Sequence, residues 1–165
     1  MSFKTDNGGF KFECEDAKMS FNASTWSTRL SQLAKTRGRV SILTSELPDP
    51  AYVIEVLSKR PRDVYIVTHV NARAAAEHIK RALPEVRIAL HNDLGAKALM
   101  VAPETVWIMS SDFGKKKHRI DSGVGFHSPE IYEKTVSELF ERAWREALEI
   151  LHAQKKPDIT LGQQT

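Results

Sequence analysis

The apolar residues of this chain change period several times, and each change marks an element. Phe10, Phe12 and Cys14 alternate with Lys11, Glu13 and Glu15, the two-residue period of a strand. Asn7-Gly8-Gly9 just before them is a tight-turn signal. Residues 1–22 therefore predict a short hairpin or an added strand, with a loosely held tail as the plainer alternative. From Ser24 the period lengthens. Ser24-Thr25 can cap a helix carrying Trp26, Leu30, Leu33 and Ala34 on one face, ended by Gly38. Val40–Leu43 is a short strand. Pro48-Asp49-Pro50 opens a second helix with Val53, Ile54, Val56 and Leu57 inside, and Pro61 stops it. Val64–Val67 is a dense β-branched run that suits a strand buried on both faces. A helix over Ala72–Leu83 and a strand over Val86–Leu90 follow.

Helix and strand thus alternate over short loops through the first half, which predicts parallel strands with right-handed crossovers. The second half departs from this. Lys97–Val101 and Thr105–Ser110 read as strands joined only by Ala102-Pro103-Glu104, a link short enough to force an antiparallel pair. Ser122–Phe126 is a further strand. Ser128 caps the longest helix, Pro129 takes its first position and Glu130 favours its positive end. Its apolar stripe is Ile131, Val136, Leu139, Phe140, Ala143, Trp144 and Leu148, and Lys155-Lys156-Pro157 ends it. The expected architecture is α/β, a mixed and mainly parallel sheet flanked by helices. It is divided into an N-terminal hairpin or extension (1–22), one domain (23–152) and a polar tail (153–165).

Composition narrows the class. The chain has 165 residues, 41% hydrophobic and 27% charged, an ordinary globular balance that excludes a disordered chain, a collagen-like fibre or a coiled-coil rod. No apolar run approaches the roughly 18 residues a membrane span needs. Met1–Asp6 lacks the charged-then-apolar pattern of a signal peptide. The single cysteine, Cys14, cannot close an internal disulfide. These readings favour a cytoplasmic protein. With 24 Lys plus Arg against 21 Asp plus Glu, the net charge of +3 permits a nucleic-acid partner without demanding one.

One stretch carries a more specific signal. Gly95-Ala96-Lys97 is followed by Ala98–Met100-Val101, then Ala102, six further residues, and Met109-Ser110-Ser111-Asp112. In order of elements and in spacing, this resembles the phospholipase D superfamily. The signature of that family is His-x-Lys, four residues, Asp, six residues, then Gly-Ser-x-Asn, on an antiparallel strand pair. Lys97 and Ser110 match it. Gly95 stands at the histidine position, Ala102 at the aspartate, Met109 at the glycine and Asp112 at the asparagine. Asp121, Gly123–Phe126 and Trp144 look similar to the acidic residue, strand and closing helix that follow in the family. The resemblance spans about residues 24–150, the size of the bacterial single-motif endonucleases, and it implies a phospholipase D-like fold and a homodimer. Gly95-Ala96 and Met109 would lie where the two copies meet.

The resemblance also says what is missing. In the family one imidazole attacks phosphorus and a second protonates the leaving oxygen, while lysine and asparagine hold the phosphate oxygens. With glycine at residue 95, a homodimer loses both imidazoles, and the family mechanism cannot run. His91 and His69 are candidates for a relocated nucleophile, each with a plainer reading as a loop histidine. His118 and His127 carry no assigned role, and His78 and His152 read as helix-surface residues. Two readings remain for Lys97, Ser110 and Asp112: a surviving phosphate pocket, or a structural ion pair between Lys97 and Asp112. His91-Asn92-Asp93 offers two donors but no partner pair at helical spacing, so no metal or cofactor is expected.

Lys115-Lys116-Lys117-His118-Arg119 is the densest run of cations and follows the motif directly. Lys115, Lys116, Lys117 and Arg119 can neutralise several phosphates of DNA or RNA; a solvated loop is the alternative. Arg37, Arg39, Lys59, Arg60 and Arg62 read as solubility residues. Phe113 fits either a base-stacking role or a core anchor. Three functions follow: an inactive phospholipase D-like protein that binds nucleic-acid backbone, a protein-interaction adaptor or regulator, or a phosphodiesterase using His91 or His69.

Overall fold

The computed structural model describes residues 2–6, 8–21, 33, 35–114 and 120–151. Eight strands form one sheet: β1 (Ala17–Phe21), β2 (Val40–Thr44), β3 (Val64–His69), β4 (Arg87–His91), β5 (Ala98–Val101), β6 (Thr105–Met109), β7 (Ser122–His127) and β8 (Leu148–Glu149). Their spatial order is β1-β7-β6-β5-β2-β3-β4-β8. Helix α1 (Pro50–Ser58) links β2 to β3, and α2 (Arg73–Ala82) links β3 to β4. After β7 come α3 (Pro129–Thr135), a wider π-helical stretch (Val136–Phe140) and α4 (Glu141–Glu146). The helix expected over Ser24–Ala34 lies outside the described residues except for Leu33, which is buried.

The class is the expected one, a mixed sheet flanked by helices, but it is mostly antiparallel rather than mainly parallel. Only β2–β3 and β3–β4 run parallel; the other pairs are antiparallel. The reason is connectivity. Parallel neighbours need a crossover, and among the described residues only α1 and α2 supply one between sheet neighbours. The Ala102–Glu104 link forces β6 back along β5, and β1 and β8 join at the two edges.

The local signals act as the chemistry requires. The Asp49 carboxylate accepts from the Tyr52 N–H at the start of α1, with Pro50 at the first helical position. The Ser128 hydroxyl accepts from the Ile131 N–H and opens α3 in the same way. Val64, Ile66 and Val67 are almost fully buried, because helices cover both faces of the central strands. On one face α1 and α2 pack over Val40, Ile42, Ile66, Ile88 and Leu99; on the other Phe140, Ala143 and Ile131 cover Leu43, Val67, Ala98 and Met100. Met109 is part of the first cluster, so its side chain is not available where copies were expected to meet.

Two stretches differ from expectation at the ends. The strand near the N-terminus is Ala17–Phe21, not the alternating stretch before it. Phe12 instead lies edge-on against Phe126, with ring centroids 5.0 Å apart, so these aromatics gain more from packing than from pairing. The closing helix stops at Glu146. Ala147 is extended, and β8 pairs with β4, leaving Leu148 exposed rather than on the helix stripe. The Glu149 carboxylate takes the Arg87 guanidinium with two bonds, of 2.7 and 2.6 Å. That geometry favours both charged forms. The hydrogen bond from Arg87 pulls Glu149 below its ordinary carboxylate value, and Glu149 raises the Arg87 pKa in turn.

Gly125 shows how tightly β6 and β7 fit. It pairs with Trp107, and the indole ring fills the space a Cβ on Gly125 would need. Gly125→Ala is expected to cost about 2 kcal/mol through overpacking. In a Trp107→Val background the same change costs almost nothing, and a double-mutant cycle of urea unfolding measures the difference.

Candidate functional site

The signature stretch falls on β5 and β6, whose register places Ala98 opposite Ile108. The ladder extends one step further, because the Met109 N–H donates to the Lys97 carbonyl at 2.9 Å. Lys97 is two residues before Leu99 and so lies on the face covered by α1 and α2. Ser110 and Asp112 follow directly after β6.

Asp112 is the centre of the arrangement. One carboxylate oxygen, Oδ1, accepts from the Ser45 N–H at 2.8 Å and the Glu46 N–H at 2.9 Å, and lies 3.1 Å from the Thr44 hydroxyl. The other, Oδ2, faces the Lys97 ammonium at 3.1 Å. The Thr44 hydroxyl, fully buried, also accepts from the Phe113 N–H at 2.8 Å. The Asp112 side chain is 5% exposed and that of Lys97 21%. Burial works to raise the Asp112 pKa, but the Glu46 N–H, Lys97 and Thr44 outweigh it and hold the carboxyl below its ordinary value. Residue 112 is thus an ionised carboxylate tied to the end of β2.

Lys97 has a second partner in the Ser110 carbonyl, at 3.3 Å. The Ser110 hydroxyl accepts from the Ser122 N–H at 2.9 Å and reaches Asp121 Oδ1 at 3.4 Å, so it joins β6 to the start of β7. Gly95 is exposed, and a Cβ there would meet nothing within 4 Å. Packing therefore does not dictate a glycine, and the position has room for a larger side chain. Phe113 is fully buried in the core, which makes it an anchor rather than a base-stacking platform.

The histidines stand elsewhere. His69 and His91 are register partners at the ends of β3 and β4. They lie two residues beyond Val67 and Ala89, on the face covered by α4 and opposite the one Lys97 occupies. His91 Nδ1 accepts from the Asp93 N–H at 2.9 Å, and its Nε2 faces Glu146 Oε2 at 3.4 Å. His69 Nδ1 accepts from the Asn71 N–H at 3.1 Å. In each neutral ring that hydrogen bond uses the lone pair a nucleophile would need. Among the described residues no three His, Cys, Asp or Glu side chains come together as a metal cluster. Lys115, Lys116, Lys117 and Arg119 lie outside the described residues, between Gly114 and Ile120.

Sequence reasoning placed Lys97 and Asp112 within reach of each other but missed Thr44, Ser45 and Glu46. Their role is carried by two backbone N–H groups and one hydroxyl. The only trace in sequence is a Thr-Ser pair at the end of a buried strand.

No family model matches the chain, and no curated protein matches it by sequence. Its backbone is nevertheless similar to solved structures. Nuc from Salmonella typhimurium, a phospholipase D family member, matches with a TM-score of 0.64 over 82% of this chain and 97% of its own, at 14% identity. NucT from Helicobacter pylori matches with a TM-score of 0.65 over 82% and 100%, at 14% identity. The archaeal chromatin protein TrmBL2, whose structure shows a novel mode of DNA binding, matches with a TM-score of 0.58 over 85% and 56%, at 10% identity. The fold is that of the phospholipase D superfamily.

Removing Asp112 leaves two backbone donors and an ammonium without their acceptor. Asp112→Ala is expected to cost about 3 kcal/mol. Asp112→Asn keeps one acceptor oxygen and costs about 1 kcal/mol. The sign with pH follows from the lowered pKa. The stabilisation is complete above the ordinary value of 3.8 and is lost as pH falls from there through the folded-state value. The gap in urea midpoint between wild type and Asp112→Asn therefore closes below that pH.

Proposed function

We propose that this protein uses a phospholipase D fold without phosphodiesterase chemistry, and that it binds nucleic-acid backbone through the cationic loop of residues 115–119. The observation that carries the reading is the Lys97–Asp112 pair. The signature lysine faces an internal carboxylate in place of a phosphate oxygen, and residue 95 provides no group that can attack phosphorus. A phosphate entering here would compete with Asp112 for Lys97 and be repelled by the same carboxylate. The hydrogen-bonding of His69 and His91, on the other face of the sheet, argues against either one replacing the missing imidazole.

Binding rests on the loop. Three lysines and an arginine follow Gly114 directly, beside the former phosphate pocket. Two structural neighbours are Nuc and NucT, and a third is a DNA-binding chromatin protein. The assembly that goes with the reading is a cytoplasmic homodimer with Gly95 and Ala96 near the contact.

Two measurements test this. In fluorescence anisotropy with labelled DNA and RNA oligonucleotides, four phosphate contacts predict an affinity loss of about 10²-fold between 50 and 200 mM salt. Changing Lys115, Lys116 and Lys117 together to Ala lowers the slope of log affinity against log salt by about 2–3. Binding that ignores the triple change rejects the loop as the interface. Concentrated protein is expected to leave a chromogenic phosphodiester intact. Turnover abolished by His91→Ala or His69→Ala reverses the assignment.

A further inference from the structure

We propose that the chain pairs with a second copy of itself through the open edge of β1, strand against antiparallel strand, about a two-fold axis at Met19. β1 ends the sheet, with β7 as its only neighbour. It contains neither proline nor glycine, the residues that interrupt an edge. The opposite edge is β8, which has only two residues.

The ladder fixes which backbone groups are available. The Asp16 carbonyl accepts from the His127 N–H at 3.0 Å. Antiparallel alternation then turns the groups of Lys18 and Ser20 toward β7 and those of Ala17, Met19 and Phe21 outward. A two-fold centred on Lys18 or Ser20 would set inward-turned groups opposite each other. One centred on Met19 pairs every outward N–H and C=O: Met19 with its own copy, and Ala17 with the second copy's Phe21.

The side chains agree with this register. Lys18, the one charge on the strand, falls opposite the second copy's Ser20, so no like charges meet. Met19 is 64% exposed and Phe21 66%. Met19 is in register with Val124, and Val124 with Ile108, itself 40% exposed. An apolar row thus runs across three strands to the open edge, where the second copy continues it. A strand from an unrelated protein would satisfy the backbone but has no reason to match at residue 19. The interface is separate from the Gly95 edge and does not depend on nucleic-acid binding.

Sedimentation velocity on the full chain tests the pairing. Wild type is expected to be dimeric at micromolar concentration. Met19→Lys sets two ammonium groups face to face and weakens the dimer on the order of tenfold or more; Met19→Glu does the same with carboxylates. Because residue 19 is exposed, both variants should retain the wild-type circular dichroism and melting temperature. Mixing the two variants restores the dimer, since opposite charges now meet at the axis. A monomeric wild type overturns the proposal, as does a mixture no more dimeric than its components. A dimer indifferent to charge at residue 19 also overturns it, while leaving the nucleic-acid reading intact.

Discussion

The site depends on a buried carboxylate that has found enough donors to stay ionised. Isolated, Asp112 would carry a large desolvation penalty. Two backbone N–H groups at the end of β2, a buried hydroxyl and the Lys97 ammonium remove that penalty together. The contacts join three separate parts of the chain: the end of β2, the start of β5 and the residues after β6. They also consume the positive charge that would otherwise be offered to an anion. One interaction therefore both fastens the fold and closes the pocket.

The mixed sheet explains why the histidines and the lysine do not cooperate. Side chains alternate along each strand, and helices cover both faces of the centre, so a single residue of parity decides which compartment a group enters. Lys97 enters the α1–α2 side, whereas His69 and His91 enter the α4 side. All three lie near the same end of the sheet, yet the sheet itself stands between them. Closeness along an edge is not enough to make a catalytic pair.

Much of the fold was legible in the sequence because its signals are local. The caps at Asp49 and Ser128, the run Val64–Val67 and the short link at Ala102–Glu104 each specify their neighbourhood without help from the rest of the chain. The motif spacing was equally readable, since it is a property of one hairpin. What was not legible depends on distant partners. Asp112 is held by N–H groups 66 and 67 residues away, and backbone donors leave no mark in residue type. The end of the last helix was missed because Arg87, on another strand, draws Glu149 into β8. The N-terminal strand was misplaced because Phe12 prefers the Phe126 ring to a ladder. The balance of parallel and antiparallel pairs follows from where the two terminal strands attach, which periodicity does not encode.

Residues 95 and 112 differ in how freely evolution can revisit them. A side chain at residue 95 would project into open space, so mutation there is sterically unopposed. Residue 112 is anchored by groups from two other segments, and any exchange passes through a less stable protein. A lineage starting from this chain could acquire an imidazole in one step yet stay on the inactive side of a stability valley. The carboxylate acts as a ratchet.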